Sequence, residues 1–241
     1  PADKQNLTWQ AAELHEKSGN KSKANDLYIS YIKSYPKPFG QYIEAHHLVS
    51  EYYRNSKDYK SWARWLNETV KAEKAGGTAR TDRTNLIAAS ALIHLVKPVI
   101  KQFESTRLNN PLKRSLANKK KLMERALDSY KEIMSYRIAE FTTESTYRVA
   151  EIYHHMGVSI MKSERPKGLS EDEIEQYNIL LEEQAYPFEE KAIDIHASNI
   201  QRTREGIYDD WIKKSMEILA TIQPVRYQKK EKAQAYALLE N

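Results

Sequence analysis

Residues 19–36, GNKSKANDLYISYIKSYP, hold a complete helix between two terminators. Gly19 suits the left-handed conformation that ends a helix. Pro36 and Pro38 lack the donor needed to continue one. Between them apolar residues recur at helical spacing. A chain punctuated this way folds as helical hairpins, and the same punctuation recurs further on.

The spacing predicts helices over 6–18, 21–35, 40–54, 58–74, 79–107, 112–138, 142–164, 170–205, 208–222 and 226–240. Breaks fall at Gly19, Pro36-Lys37-Pro38, Gly76-Gly77, Asn109-Asn110-Pro111 and Arg165–Gly168. Ser170 and Glu173 stand at capping-box spacing. Pro98 and Pro187 lie inside long helical patterns, where each predicts a kink or break. Strand-like alternation is not sustained anywhere. Only 7 Gly and 8 Pro occur in 241 residues, fewer than a sandwich or barrel of this length needs for its turns.

The tiles share marks. Ala12 to Gly19 has the same offset as Ala150 to Gly157, and Ala24 to Tyr28 the same as Ala126 to Tyr130. Tyr59/Trp62 and Tyr208/Trp211 form two Tyr-x-x-Trp marks, each opening a second helix. Small residues let the helices of a pair approach, and aromatics fill the space beside them. A single pair cannot bury its apolar face alone, so pairs stack.

On Ala12, Gly19, Ala24, Tyr28 and Pro36 the first pair resembles the tetratricopeptide repeat (TPR) family. His15 replaces the family's aromatic near the end of the first helix. The second pair has Tyr53 there, but Trp62 stands where a small residue is usual. The segments 79–138 and 142–206 exceed the family's unit of roughly 34 residues. The resemblance implies an all-α, right-handed superhelix of stacked antiparallel helix pairs, about ten helices in one domain over 1–241. Its sub-blocks are two pairs in 1–76, a long hairpin in 77–140, an elaborated pair in 141–206 and a final pair in 207–241.

A second stretch, LLEEQAYPFEEKAIDIHASN running on to GIYDDWIKKSMEILATIQPVRY, looks like part of large Gram-negative envelope proteins with such repeats. The expected setting is therefore the periplasm or envelope, with the cytoplasm as the alternative. The chain begins with Pro1, so it reads as a processed protein or a piece of a longer one. The absence of cysteine fits an oxidising compartment and excludes thiolate zinc, disulfides and a thiol nucleophile. No run of about 18 apolar residues predicts a membrane span.

Catalytic signatures do not stand out. GxSxG, Gly-rich phosphate loops, the dinucleotide fingerprint and HExxH are all absent. His46-His47 and His154-His155 are adjacent pairs, whose members point about 100° apart on a helix and do not chelate together. The expectation is no enzyme, no metal and no cofactor.

Charge is uneven. Residues 113–125 hold six basic side chains against one Glu, and 171–190 hold eight acidic and no basic ones. Lys113, Arg114, Lys119, Lys120 and Lys121 form the basic patch on which the rival reading, a helical-repeat nucleic-acid binder, rests. The net charge of +5 permits nucleic acid without requiring it. In the family the first helix of each pair lines a concave face that commonly holds a peptide. Carried onto this chain, that face comprises Trp9 and Glu13, then His47 and Glu51, then Tyr147, Glu151 and His155. The expected function is a protein-interaction scaffold whose partner carries basic and apolar side chains.

Overall fold

Gly19 ends its helix as its spacing predicts, at φ +81°. The computed structural model describes residues 2–228, and these build an all-α chain. The helices are α1 (Ala2–Lys17), α2 (Lys21–Ser34), α3 (Phe39–Asn55), α4 (Tyr59–Lys74) and α5 (Asp82–Ser105). They continue with α6 (Leu112–Ser135), α7 (Ala139–Met161), α8 (Glu171–Gln201), α9 (Asp210–Ile222) and the single turn α10 (Pro224–Tyr227). Short 3-10 turns cover Gly77–Ala79 and Arg202–Glu205. Most of the helix expected over 226–240 lies outside the described residues.

Capping chemistry sets the starts. Asn20, Asp58 and Asp209 each accept backbone N–H groups of the helix they open. Thr81 and Ser170 form capping boxes with Thr84 and Glu173. Pro98 and Pro187 both sit inside continuous helices, so neither breaks its chain segment.

The helices form two compact units, residues 1–142 and 143–241. In the first, α1 packs on α2, α2 on α3, α3 on α4, α4 on α5 and α5 on α6, with α3 also touching α5. Short links between neighbours that pack make each pair an antiparallel hairpin. The first hairpin is joined by Ala12 and Ala24, both buried, with Tyr28, Tyr31, Ala45 and Val49 completing the core. Small residues at the crossing allow the close approach and the tyrosines fill the flanks. α5 is long and apolar enough to cross a membrane by length and composition. Its apolar window is 39% buried, and it packs against α3, α4 and α6.

In the second unit α8 packs on α9, and α9 on α10. Tyr153 and Phe188 join α7 to α8, with ring centroids 6.4 Å apart. Gly157 shares its offset with Gly19 but not its job. It lies inside α7, where a Cβ would come within 3.1 Å of the Glu189 side chain on α8. The two Tyr-x-x-Trp marks are not equivalent either. Asp58 caps α4 before Tyr59, whereas Asp209 caps α9 after Tyr208. Both tyrosines are exposed and both tryptophans half-buried.

Candidate functional site

The expected face divides between the two units. Trp9, Glu13, His47 and Glu51 belong to the first, and Tyr147, Glu151 and His155 to the second. All seven are half-buried.

On α1, Trp9 donates its indole N–H to Glu13 Oε1 at 2.7 Å. Its ring meets Tyr28 and Tyr31 edge-on at 5.4 and 5.2 Å. Trp9 therefore braces the first hairpin as well as facing outward.

On α3, His47 and Glu51 line a cleft of about 120 Å³ between α3, α4 and α5. Ser50, Arg54, Ser90 and His94 share its walls. Alternate helices lie side by side there, fastened by a two-point ion pair from Arg83 to Glu44, at 2.7 and 3.1 Å. Burial pushes the His47 imidazole below its ordinary pKa against the opposing pull of Glu44 and Glu51. Burial, then Lys97 and Arg54, does the same at His94. Both rings are thus kept neutral at pH 7, able to donate and accept. Glu51 pairs with Arg54 at 2.5 Å. The cleft offers neutral imidazoles, hydroxyls and one ion pair, a lining that suits polar recognition of a chain segment.

The histidine pair 46–47 splits as helix geometry requires. His46 turns inward, 4% exposed, between Tyr42 and Trp65 at 4.8 and 5.5 Å, with neither ring nitrogen partnered.

In the second unit Tyr147 packs on His196 and Trp211, each 5.4 Å away. Glu151 approaches His196 Nε2 at 3.6 Å, beyond hydrogen-bond distance, and the nearby imidazole holds its carboxyl below the usual range. His196 Nδ1 meets Ser215 Oγ at 3.2 Å, and Asn199 donates to the same oxygen at 3.1 Å and to the Thr143 carbonyl at 3.2 Å. The line Ser215–His196–Glu151 has the residue types of a hydrolase triad. Ser215 is 0% exposed, however, so a substrate cannot reach its hydroxyl. The network ties α7, α8 and α9 together. Ser159 Oγ lies 3.2 Å from His155 Nδ1.

One member of the basic patch must be withdrawn. Lys113, Arg114, Lys120 and Lys121 are exposed on α6, but Lys119 is fully buried. Its ammonium donates to the carbonyls of Phe103 and Thr106 at 2.9 and 2.6 Å and lies 4.6 Å from the Phe103 ring centre. It closes the C-terminus of α5, where free carbonyls gather negative partial charge. Burial pushes its pKa down to about 8.

Arg54, His94, His196, Asn199 and Ser215 escaped the reading of the sequence. For His196, Asn199 and Ser215 the signal was position on the inward stripe of a helix. Among the described residues no cluster of three or more His, Asp or Glu side chains could hold a metal ion.

No family model matches the chain, and no curated protein does. Among solved structures it is similar to a TPR repeats protein from Bacteroides fragilis at 13% identity and a TM-score of 0.34, over 90% of this chain and 98% of that one. At that score the likeness adds nothing to the helical hairpins seen directly.

Proposed function

We propose that this chain is a protein-interaction scaffold of the tetratricopeptide kind, which holds a partner polypeptide against the exposed sides of its first helices. The observation that carries this reading is the cleft between α3 and α5. Adjacent hairpins present His47, Glu51, Arg54 and His94 side by side on a surface formed before any partner arrives. A preformed surface spends little ordering entropy on binding. Trp9 and Glu13 extend the recognition surface on α1. In the second unit Tyr147, Glu151 and His155 serve the same purpose on α7. The chain works by holding its partner rather than by catalysis, and its setting is a bacterial envelope assembly.

The test is in-cell photo-crosslinking from a reactive residue placed at position 47, and separately at 155, followed by mass spectrometry. A discrete polypeptide, captured from position 47 and lost on Glu51→Ala or His94→Ala, is the expected result. Capture of nucleic acid alone, or of nothing above background at both positions, overturns the reading and moves attention to Lys113, Arg114, Lys120 and Lys121.

A further inference from the structure

Helix α8 has one face packed and one face open. Leu181, Ala185, Ala192, His196 and Asn199 form its buried stripe. Contacts over 171–190 gather on that same side: Asn178 accepts from Arg165 Nε at 2.9 Å, Phe188 meets Tyr153, and Glu189 lies beside Gly157. α9 packs toward the C-terminal end, where its Ser215 meets His196 and Asn199. At 1.5 Å per residue α9 spans roughly 20 Å and α8 roughly 46 Å, which leaves the first half of α8 beyond its reach.

The outer side of that first half carries Ile179 and Tyr186, which are 50% and 61% exposed. Successive helical residues turn by about 100°, so these two fall within about 20° of one another and about 150° from Leu181. Glu175 and Glu182 edge them on one side, Glu183 and Glu190 on the other, and all four carboxylates are exposed. Among the described residues none of the four has a cation within ion-pair distance. The apolar seam supplies affinity, and its charged edges choose the occupant. Those edges repel nucleic acid and anionic lipid. They call for a polypeptide that brings apolar side chains flanked by cations.

We infer that the outer face of α8 over 175–190 docks a basic amphipathic helix of a partner polypeptide. The seven-residue spacing of Ile179 and Tyr186 matches the repeat of an amphipathic helix's apolar seam. Lys and Arg beside that seam reach Glu175 and Glu182 on one edge and Glu183 and Glu190 on the other. Their methylene stems lie along Ile179 and Tyr186. This surface goes beyond the scaffold reading above and shares no residue with the faces assigned to it.

The test is a fluorescence-anisotropy titration of the whole chain into the fluorescein-labelled peptide LKKLLKLLKKLLKL. Parallel titrations use its acidic counterpart LEELLELLEELLEL and an isomer of the basic peptide whose leucines are spread around the helix. Saturable binding is expected with the basic amphipathic peptide alone. Glu182→Gln with Glu183→Gln, and separately Ile179→Ser with Tyr186→Ser, are each expected to weaken it about tenfold. Asp26→Asn with Glu124→Gln, two exposed carboxylates elsewhere, is expected to leave it unchanged. All these positions are exposed, and matching circular dichroism spectra exclude loss of folding. Equal binding of the isomer overturns the helical seam. Binding untouched by both α8 pairs overturns the site, and binding weakened by the carboxylate pair alone reduces it to a charged surface and overturns the docking face. Sedimentation of the chain without peptide tests for a second copy as occupant. Self-association abolished by the Glu182 and Glu183 changes, and equally by Arg114→Gln with Lys121→Gln, overturns the external partner. The crosslinking from position 47 reads a different surface, so either result can fail while the other stands.

Discussion

Tyr136 donates its hydroxyl to Glu73 across 63 positions of chain, at 2.9 Å, and Glu73 is 0% exposed. Arg80 supplies the counter-charge to the same carboxylate and lies 5.3 Å from the Tyr136 ring centre. Three segments thus meet on one buried carboxylate: the end of α4, the linker before α5 and the cap of α6. Such a hub is costly to leave half-satisfied. Arg80 is partly exposed and can turn to water, which limits the damage when its partner is removed. Glu73→Ala is expected to cost about 2–4 kcal/mol and Tyr136→Phe about 1–2 kcal/mol, read by urea denaturation. A loss below about 0.5 kcal/mol for Glu73→Ala would show that the hub does not bind these segments together.

His46 makes stability depend on pH. Burial pushes its pKa down to about 4, against a small opposing pull from Glu68. Between pH 6.5 and 4 the unfolded chain takes up a proton that the folded chain refuses. Stability is therefore full above pH 6.5 and falls as pH drops. For this one group the loss at pH 5 is roughly 2 kcal/mol. His47 and His94, whose pKa values are lowered too, add in the same direction. His46→Phe gives up no hydrogen bond, since neither ring nitrogen has one. Comparing denaturation midpoints at pH 7.5 and pH 5, the variant is expected to lose clearly less stability than the parent. Equal losses would mean that His46 is reached by water and protons in the fold.

The hairpin architecture was legible because its signals are local. Gly19 at positive φ, Ser170 with Glu173, and buried Ala12, Ala24 and Tyr28 all act within a turn or across one hairpin. Lys119 was half legible. It stands on the same stripe as Leu122, Met123, Ala126, Tyr130 and Ile133, all buried. Its charge led to the surface, whereas the stripe pointed to the interior. What settles the conflict is the carbonyl-rich end of α5, a long-range fact the spacing does not carry. The Ser215–His196–Asn199 network was illegible for the same reason, since its members join through packing of α8 on α9. The seven face residues were placed on their helices from the repeat register. Which of them share a cleft depended on α3 lying beside α5.

Two glycines with the same offset from an alanine are expected to respond in opposite senses. Gly19 holds φ +81°, so Gly19→Ala strains the backbone and should cost about 1 kcal/mol. Gly157 is inside a helix, where alanine is favoured by about 1 kcal/mol. The nearest obstacle is the Cγ of Glu189, an exposed and flexible side chain. Gly157→Ala is therefore expected to leave stability unchanged or raise it by up to about 1 kcal/mol. Thermal melts of the two variants check the sign. A destabilised Gly157→Ala would mean that α8 cannot yield at Glu189.

Ser215 decides whether its resemblance to a nucleophile matters. Its oxygen accepts from Asn199 and faces His196 Nδ1, and all three residues are 0% exposed. Removing the hydroxyl leaves His196 Nδ1 without a partner and takes one of the two acceptors from Asn199 Nδ2, which keeps the Thr143 carbonyl. Ser215→Ala is expected to cost about 2–3 kcal/mol for that reason. The same change should leave turnover of a small activated ester at the background rate of the parent. Glu151→Gln separates structure from chemistry further, because Glu151 is partly exposed and its loss is felt mainly at His196 Nε2. If ester turnover by the parent exceeded background and vanished in both variants, the network would be a working triad. The burial of Ser215 would then have to open during the reaction. A stability loss with no change in turnover places Ser215, His196 and Glu151 among the bonds that hold α7, α8 and α9 together.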